Sequence, residues 1–212
     1  MRALMLLFAG AALVAQAQTK SNDLGLRGDR FKPLTADQLT PEQKTMVDHL
    51  MKGERAGLNG PFNVLLRSPE MGDVTQKLGA YLRFHTSIPK KLNEMAILIT
   101  ARTWTSQYEW FAHHAIAMKA GLDPQIAAAI AEGRKPKNMK EDEAAVWEFS
   151  TQLHKTKKVS DAAYKRIVGL YGEQGAMDLI GVLAYYTAVS MTLNVAEVPV
   201  PAGEKNPLKP LK

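Results

Sequence analysis

Cysteine is absent from all 212 residues. Its absence excludes disulfides, thiolate catalysis, iron–sulfur clusters and cysteine-type zinc sites. No useful length of the chain alternates apolar and polar residues with a period of two, so the sequence offers no half-buried strands. With 15 Gly and 11 Pro there is no collagen-like or low-complexity signal. Neither charge sign dominates: 27 Lys+Arg against 21 Asp+Glu leave a net charge of +6 and a pI near 9.4. The basic residues are scattered, and the one basic run, Arg134-Lys135-Pro136-Lys137, is a short linker. Nucleic acid is therefore not an expected partner. What remains, 46% hydrophobic and 23% charged residues, describes one globular domain able to bury a core without staples.

The chain opens with Arg2, an apolar run from Ala3 to Val14, and the small-x-small triplet Ala15-Gln16-Ala17. That is the pattern of a secretory signal peptide over residues 1–17. The apolar run falls short of the roughly 20 residues that span a bilayer, so no stable membrane insertion is expected after cleavage. Removal of Arg2 would leave 26 basic residues against 21 acidic, formally +5. The expected location is periplasmic or extracellular.

Residues 18–40 are polar, with Gly25, Gly28 and Pro33, and read as an N-terminal arm. From Thr40 the pattern is helical. Thr40-Pro41-Glu42-Gln43 is an N-cap followed by Pro and an acidic first turn, with Met46, Val47, Leu50 and Met51 as the apolar stripe. Gly53 to Pro61 breaks it, and Phe62–Leu66 is a short apolar piece. Ser68-Pro69-Glu70 opens a helix with Met71, Val74, Leu78, Tyr81 and Leu82 on one face, the face expected to be buried. Ser87-Ile88-Pro89 opens the next, carrying Leu92, Met95, Ala96, Ile99 and Thr100. A fourth runs from Ser106 to Gly121, a fifth from Gln125 to Glu132 behind Asp123-Pro124, and a sixth from Glu141 to His154. A seventh begins at Ser160-Asp161 and ends at Gly172, and an apolar helix follows over 173–196. Pro199, Pro201, Pro207 and Pro210 make residues 198–212 an extended tail. The expected fold is all-α: a single-domain bundle of about seven to eight helices over 41–197, with an arm at each end.

The stretch richest in chemistry runs from Glu94 to His114. Glu109 and His113 are four apart on one helix and share a face, where a carboxylate can orient an imidazole and raise its basicity. Glu94 lies on the preceding helix and reaches that face if the two pack antiparallel. Two carboxylates and one histidine converging suit acid/base chemistry. His114 points about a hundred degrees away. A plainer reading fits the same residues: Ser106-x-x-Glu109 is also a capping box, and Trp104, Tyr108, Trp110 and Phe111 suit a core or an interface. His85, before the helix of Glu94, fits either a substrate carboxylate or a helix end. Arg102 and Arg83 fit either bidentate carboxylate recognition or rim charges. His49 and His154 have no motif around them and read as surface.

Three text matches carry a resemblance. They are Phe62-Asn63-Val64-Leu65-Leu66-Arg67-Ser68-Pro69, then Leu92-Asn93-Glu94-Met95-Ala96-Ile97-Leu98, then Tyr108-Glu109-Trp110-Phe111-Ala112-His113. Residues 62–121 resemble the carboxymuconolactone decarboxylase family, which includes alkylhydroperoxidase D. Its redox branch uses Glu-x11-Cys-x2-Cys-x3-His; here the same spacing holds Glu94, Ser106, Glu109 and His113. Glutamate and histidine are kept and both thiols are gone, so peroxide reduction through a thiol pair is excluded. The cysteine-free decarboxylase branch is the closer match.

That resemblance implies a cofactor-free acid/base lyase acting on a small carboxylated lactone or organic acid. His113 would be the main acid/base, and Glu94 and Glu109 relay or orienting groups. Apart from the resemblance, His85, Arg102, Ser106 and Trp110 are the candidate substrate-binding residues. The resemblance also implies a homo-oligomer, trimeric or hexameric. Two other readings stay open: a metal-dependent enzyme using Glu94, Glu109, His113 and His85, and a non-catalytic small-molecule-binding or assembly protein.

Overall fold

The structure, a computed structural model, describes residues 23–55 and 57–211. The signal-peptide segment 1–17 lies outside them. The described residues form eight α-helices and no named strand: α1 Pro41–Lys52, α2 Phe62–Leu65, α3 Pro69–Phe84, α4 Lys90–Thr103, α5 Gln107–Lys119, α6 Pro124–Ala131, α7 Glu141–Thr156 and α8 Asp161–Ala196. A 3-10 turn, Ala36–Gln38, precedes them. The all-α bundle expected from the helical periodicities is what forms.

Local chemistry sets most boundaries. The Thr40 hydroxyl accepts from the Gln43 amide while the Gln43 side chain accepts from the Thr40 amide, closing a capping box ahead of Pro41. Asp123 and Ser160 accept from amides in the first turns of α6 and α8. Gly121, at φ 87°, ends α5 in a left-handed conformation that costs a glycine little. Helix α8 is two helical pieces joined at Gly172, whose φ of 68° and ψ of −178° break the helix where the sequence placed the end of one and the start of the next.

Helix α4 is the hub. Every residue from Leu92 to Arg102 is buried, and the helix packs against α5, α6, α7 and α8. A smaller core joins Leu26 and Leu39 of the arm to Met46, Leu50, Phe62, Leu65 and Leu66. Helix α3 departs from expectation. Its apolar stripe faces outward, with Met71 57%, Val74 65% and Leu78 51% exposed. The buried positions are Gly72, Gln76, Gly79 and Leu82. Close packing explains the inversion: a Cβ on Gly79 would lie 2.0 Å from the Tyr185 hydroxyl, and one on Gly72 within 2.8 Å of the Leu65 carbonyl. Small residues let α3 sit tight against the bundle, and its large ones are left over.

Both arms fold back on their own chain. The Asn63 amide donates to the Arg27 and Phe31 carbonyls at 3.2 and 2.7 Å, and Arg30 pairs with Glu197. In the tail, the Gln107 side chain both donates to and accepts from the Leu208 backbone at 2.9 Å, and Leu208 is buried. One helix, α8, is long and apolar enough to cross a membrane by length and composition; half of its apolar window is buried in the bundle, as in a core helix.

Candidate functional site

Helices α4 and α5 bring Glu94, Glu109 and His113 together as their spacing predicted. Glu94 is fully buried, Glu109 is 3% and His113 6% exposed. The imidazole is held from both sides: Nδ1 lies 2.7 Å from Glu94 Oε2, and Nε2 faces Glu109 Oε1 across 3.2 Å. Lys90 approaches the second Glu94 oxygen at 3.8 Å. Tyr186 packs its ring edge-on against the imidazole, centroids 5.0 Å apart, which fixes the ring plane.

Burial pushes the Glu109 carboxyl up from its ordinary range, and the nearby charges of His113 and Arg55 only partly offset it. A hydrogen bond joins His113 Nδ1 to Glu94, and Glu109 approaches Nε2 at 3.2 Å without forming a second one.

Glu109 and His113 form one wall of a cavity of about 330 Å³; Glu94 stands behind them. The lining also includes Arg55, Arg83, Tyr108 and Tyr185. The Arg55 guanidinium donates to the Tyr185 hydroxyl at 3.3 Å and lies over the Phe62 ring. Three buried polar atoms of this lining have no partner: Arg55 Nε, Arg83 Nε and the Tyr186 hydroxyl. Unpaired buried donors are costly, and these three atoms are withdrawn from the accessible surface of the cavity that their residues line.

The four candidate substrate-binding residues, His85, Arg102, Ser106 and Trp110, sit elsewhere. His85 is exposed at the end of α3, with Nε2 2.7 Å from Glu54. Arg102 is buried and donates to the Ala131 and Lys209 carbonyls, tying the tail to the end of α6. Trp110 stacks on His114 in a separate groove beside Pro207. Ser106 is the N-cap of α5, but its side chain makes no cap bond and its hydroxyl is a buried orphan. The capping box is not formed because Glu109 turns toward His113 rather than back to the helix start.

His154 is not the surface residue it looked. It is half-buried, its Nε2 2.9 Å from the Thr100 hydroxyl, and burial lowers its pKa to about 4. Among the described residues, no group of three or more His, Asp or Glu is placed to hold a metal ion. Both nitrogens of His113 already face carboxylate oxygens. Sequence reasoning missed Arg55 and Tyr185: the first lies in the aperiodic Gly53–Pro61 break, and the second reads as ordinary core. Compared with known protein families and with curated proteins, the chain matches none.

Proposed function

We propose that the protein is an exported acid/base lyase acting on a small carboxylated lactone or organic acid, with Glu109 as the proton donor at the cavity wall. The supporting observation is the buried Glu94–His113–Glu109 cluster opening onto a cavity that Arg55 and Arg83 also line. In the resemblance His113 was the main acid/base. The geometry favours a different order: Glu109 lines the cavity and is pushed toward its protonated form, while both nitrogens of His113 face carboxylates.

Arg55 and Arg83 would hold the substrate's anionic group. As the carbon–carboxylate bond breaks, CO2 leaves and its electron pair remains on the adjacent carbon, spread into a carbonyl as an enolate. The Glu109 O–H protonates that carbon. The Glu109 carboxylate regains its proton from water in the cavity it lines, and His113, held in register by Glu94, orients it. The balance is one proton taken up for each CO2 released. The second reading, a non-catalytic binding protein, keeps the cavity and dispenses with the proton chain.

CO2 release measured over a panel of small carboxylated lactones and β-keto acids tests this. Wild type is expected to turn over at least one, and folded Glu109→Gln to lose that activity on the order of a thousandfold. Binding without CO2 release, or an active Glu109→Gln, overturns the lyase assignment.

A further inference from the structure

Helices α4, α7 and α8 bound a second groove, of about 620 Å³, that shares no lining residue with the Glu109 cavity. That volume suits a small molecule. Its apolar lining comes from Trp104 at the end of α4, Leu153 of α7, and Ile180, Leu183 and Ala184 of α8. Its chemistry lies in His154 and Lys157.

His154 offers a single lone pair. The Thr100 hydroxyl has one proton, and the Ala96 carbonyl accepts it at 3.0 Å. Thr100 Oγ1 therefore accepts at 2.9 Å from His154 Nε2–H, which leaves Nδ1 as the bare nitrogen of the ring. The opposite assignment would hold two acceptors, Thr100 Oγ1 and the Ala96 carbonyl, 3.0 Å apart with no proton between them. Burial and the nearby Lys157 charge lower the imidazole pKa to about 4, so Nδ1 keeps its lone pair at neutral pH. Among the described residues no donor meets Nδ1, and, unlike the orphaned atoms beside the Glu109 cavity, it is not sealed from solvent.

The other polar groups of the lining already have partners. The Thr103 hydroxyl donates to the Ile99 carbonyl at 2.8 Å, the Trp104 indole N–H to Thr187 Oγ1 at 3.3 Å, and the Lys157 ammonium to the His154 carbonyl at 2.6 Å. We propose that this groove binds an uncharged phenol, whose O–H donates to His154 Nδ1 while its ring packs on the apolar lining that Trp104, Ile180 and Leu183 supply.

The donor and charge inventory selects among ligand classes. A bare nitrogen calls for a donor, which ethers, ketones and hydrocarbons lack. A carboxylate, ionised at neutral pH, brings no proton to Nδ1. An ammonium brings one together with a positive charge, beside Lys157, the one charged residue of the described lining. A phenol brings an O–H that donates more strongly than an aliphatic hydroxyl, and the Lys157 charge favours the negative charge that builds on its oxygen. Its ring also offers a stacked or edge contact to the Trp104 indole, which is 37% exposed.

Calorimetric titration with p-cresol and with anisole, its isomer without an O–H, tests this. The full chain is expected to bind p-cresol saturably with a Kd of about 1 mM, and anisole about tenfold more weakly. In nitrogen NMR of histidine-labelled protein, the His154 Nδ1 resonance, identified by its loss in folded His154→Gln, is expected to move on adding p-cresol while Nε2 keeps its proton. Ala184→Phe, which fills the groove from an exposed position of α8, is expected to abolish the binding. No saturable binding of p-cresol, equally tight binding of anisole, an unmoved Nδ1 resonance, or unchanged binding by folded Ala184→Phe overturns the proposal. Tighter binding of p-toluate or of p-methylbenzylammonium also overturns it, and assigns the groove to a charged ligand.

Discussion

Glu94 and Thr100 lie six residues apart on α4, and each meets an imidazole from a neighbouring helix. The two pairs differ in what surrounds the ring. His113, from α5, has a carboxylate at each nitrogen, two tyrosines packed beyond it and a cavity in front. His154, from α7, has a hydroxyl at one nitrogen and Lys157 nearby. Burial does not distinguish them in kind, His113 being nearly fully buried and His154 half-buried at the edge of a groove. The partners do: the first ring sits in a chain that can hand a proton to a cavity, and the second is kept neutral by desolvation and a neighbouring positive charge. A buried histidine is thus a candidate for chemistry only when its partners are titratable and one of them reaches open space.

The sharpest test of that contrast is removal of each ring. His113→Ala is expected to lower decarboxylation about a hundredfold with far-ultraviolet circular dichroism unchanged, because Glu109 loses the imidazole that orients it. His154→Gln, which keeps a donor toward Thr100, is expected to leave turnover within a factor of two. Comparable losses in both would make the two sites equivalent and end the distinction.

Next in size is the acid stability of His154. Its imidazole is neutral when folded, with a pKa of about 4, and takes up a proton below about 6.5 when unfolded. The unfolded chain binds the extra proton between those values, so stability is fully present above pH 6.5 and lost as the pH falls toward 4. The loss is on the order of a few kcal/mol. Chemical denaturation across that window checks it: wild type should weaken steadily, and His154→Gln should follow a flatter line.

Glu109 runs the other way. Its folded pKa is raised by burial, so the folded chain keeps a proton that the unfolded chain releases above the ordinary carboxylate range. Stability from this group is lost as the pH rises through the raised value. Glu109→Gln, uncharged at every pH, is expected to melt higher than wild type at alkaline pH and to lose the advantage below pH 4.5. A melting difference independent of pH would place an ionised Glu109 in the folded chain and remove it as the proton donor.

How much of this was legible in the sequence follows from the range of the forces involved. The caps at Thr40, Asp123 and Ser160 and the breaks at Gly121 and Gly172 were readable because a cap is a bond within one turn and a break is one residue's backbone preference. The convergence of Glu94, Glu109 and His113 was readable because two helical spacings and one antiparallel packing suffice. The facing of α3 was not. Periodicity shows that Met71, Val74, Leu78 and Tyr81 share a side, but Gly72 and Gly79 decide which side is inside, through contacts with Met46 and Tyr185 that are remote in sequence. Arg55 and Tyr185 were hidden for the same reason, since a cavity wall is built from elements the local pattern cannot join.

The smallest effect is expected at Ser106, where the plain and the chemical readings of α5 diverged. Replacing an N-cap serine by alanine ordinarily costs about 0.5–2 kcal/mol. Here the hydroxyl makes no cap bond and is buried without a partner. Ser106→Ala is therefore expected to be neutral or to stabilise by up to about 1 kcal/mol, because it removes an unsatisfied buried group without breaking a bond. Equilibrium denaturation resolves the difference. A cost above about 1 kcal/mol would mean that the capping box exists in solution. Glu109 would then reach back to the Ser106 amide, and its place beside His113 would be shared with a capping role.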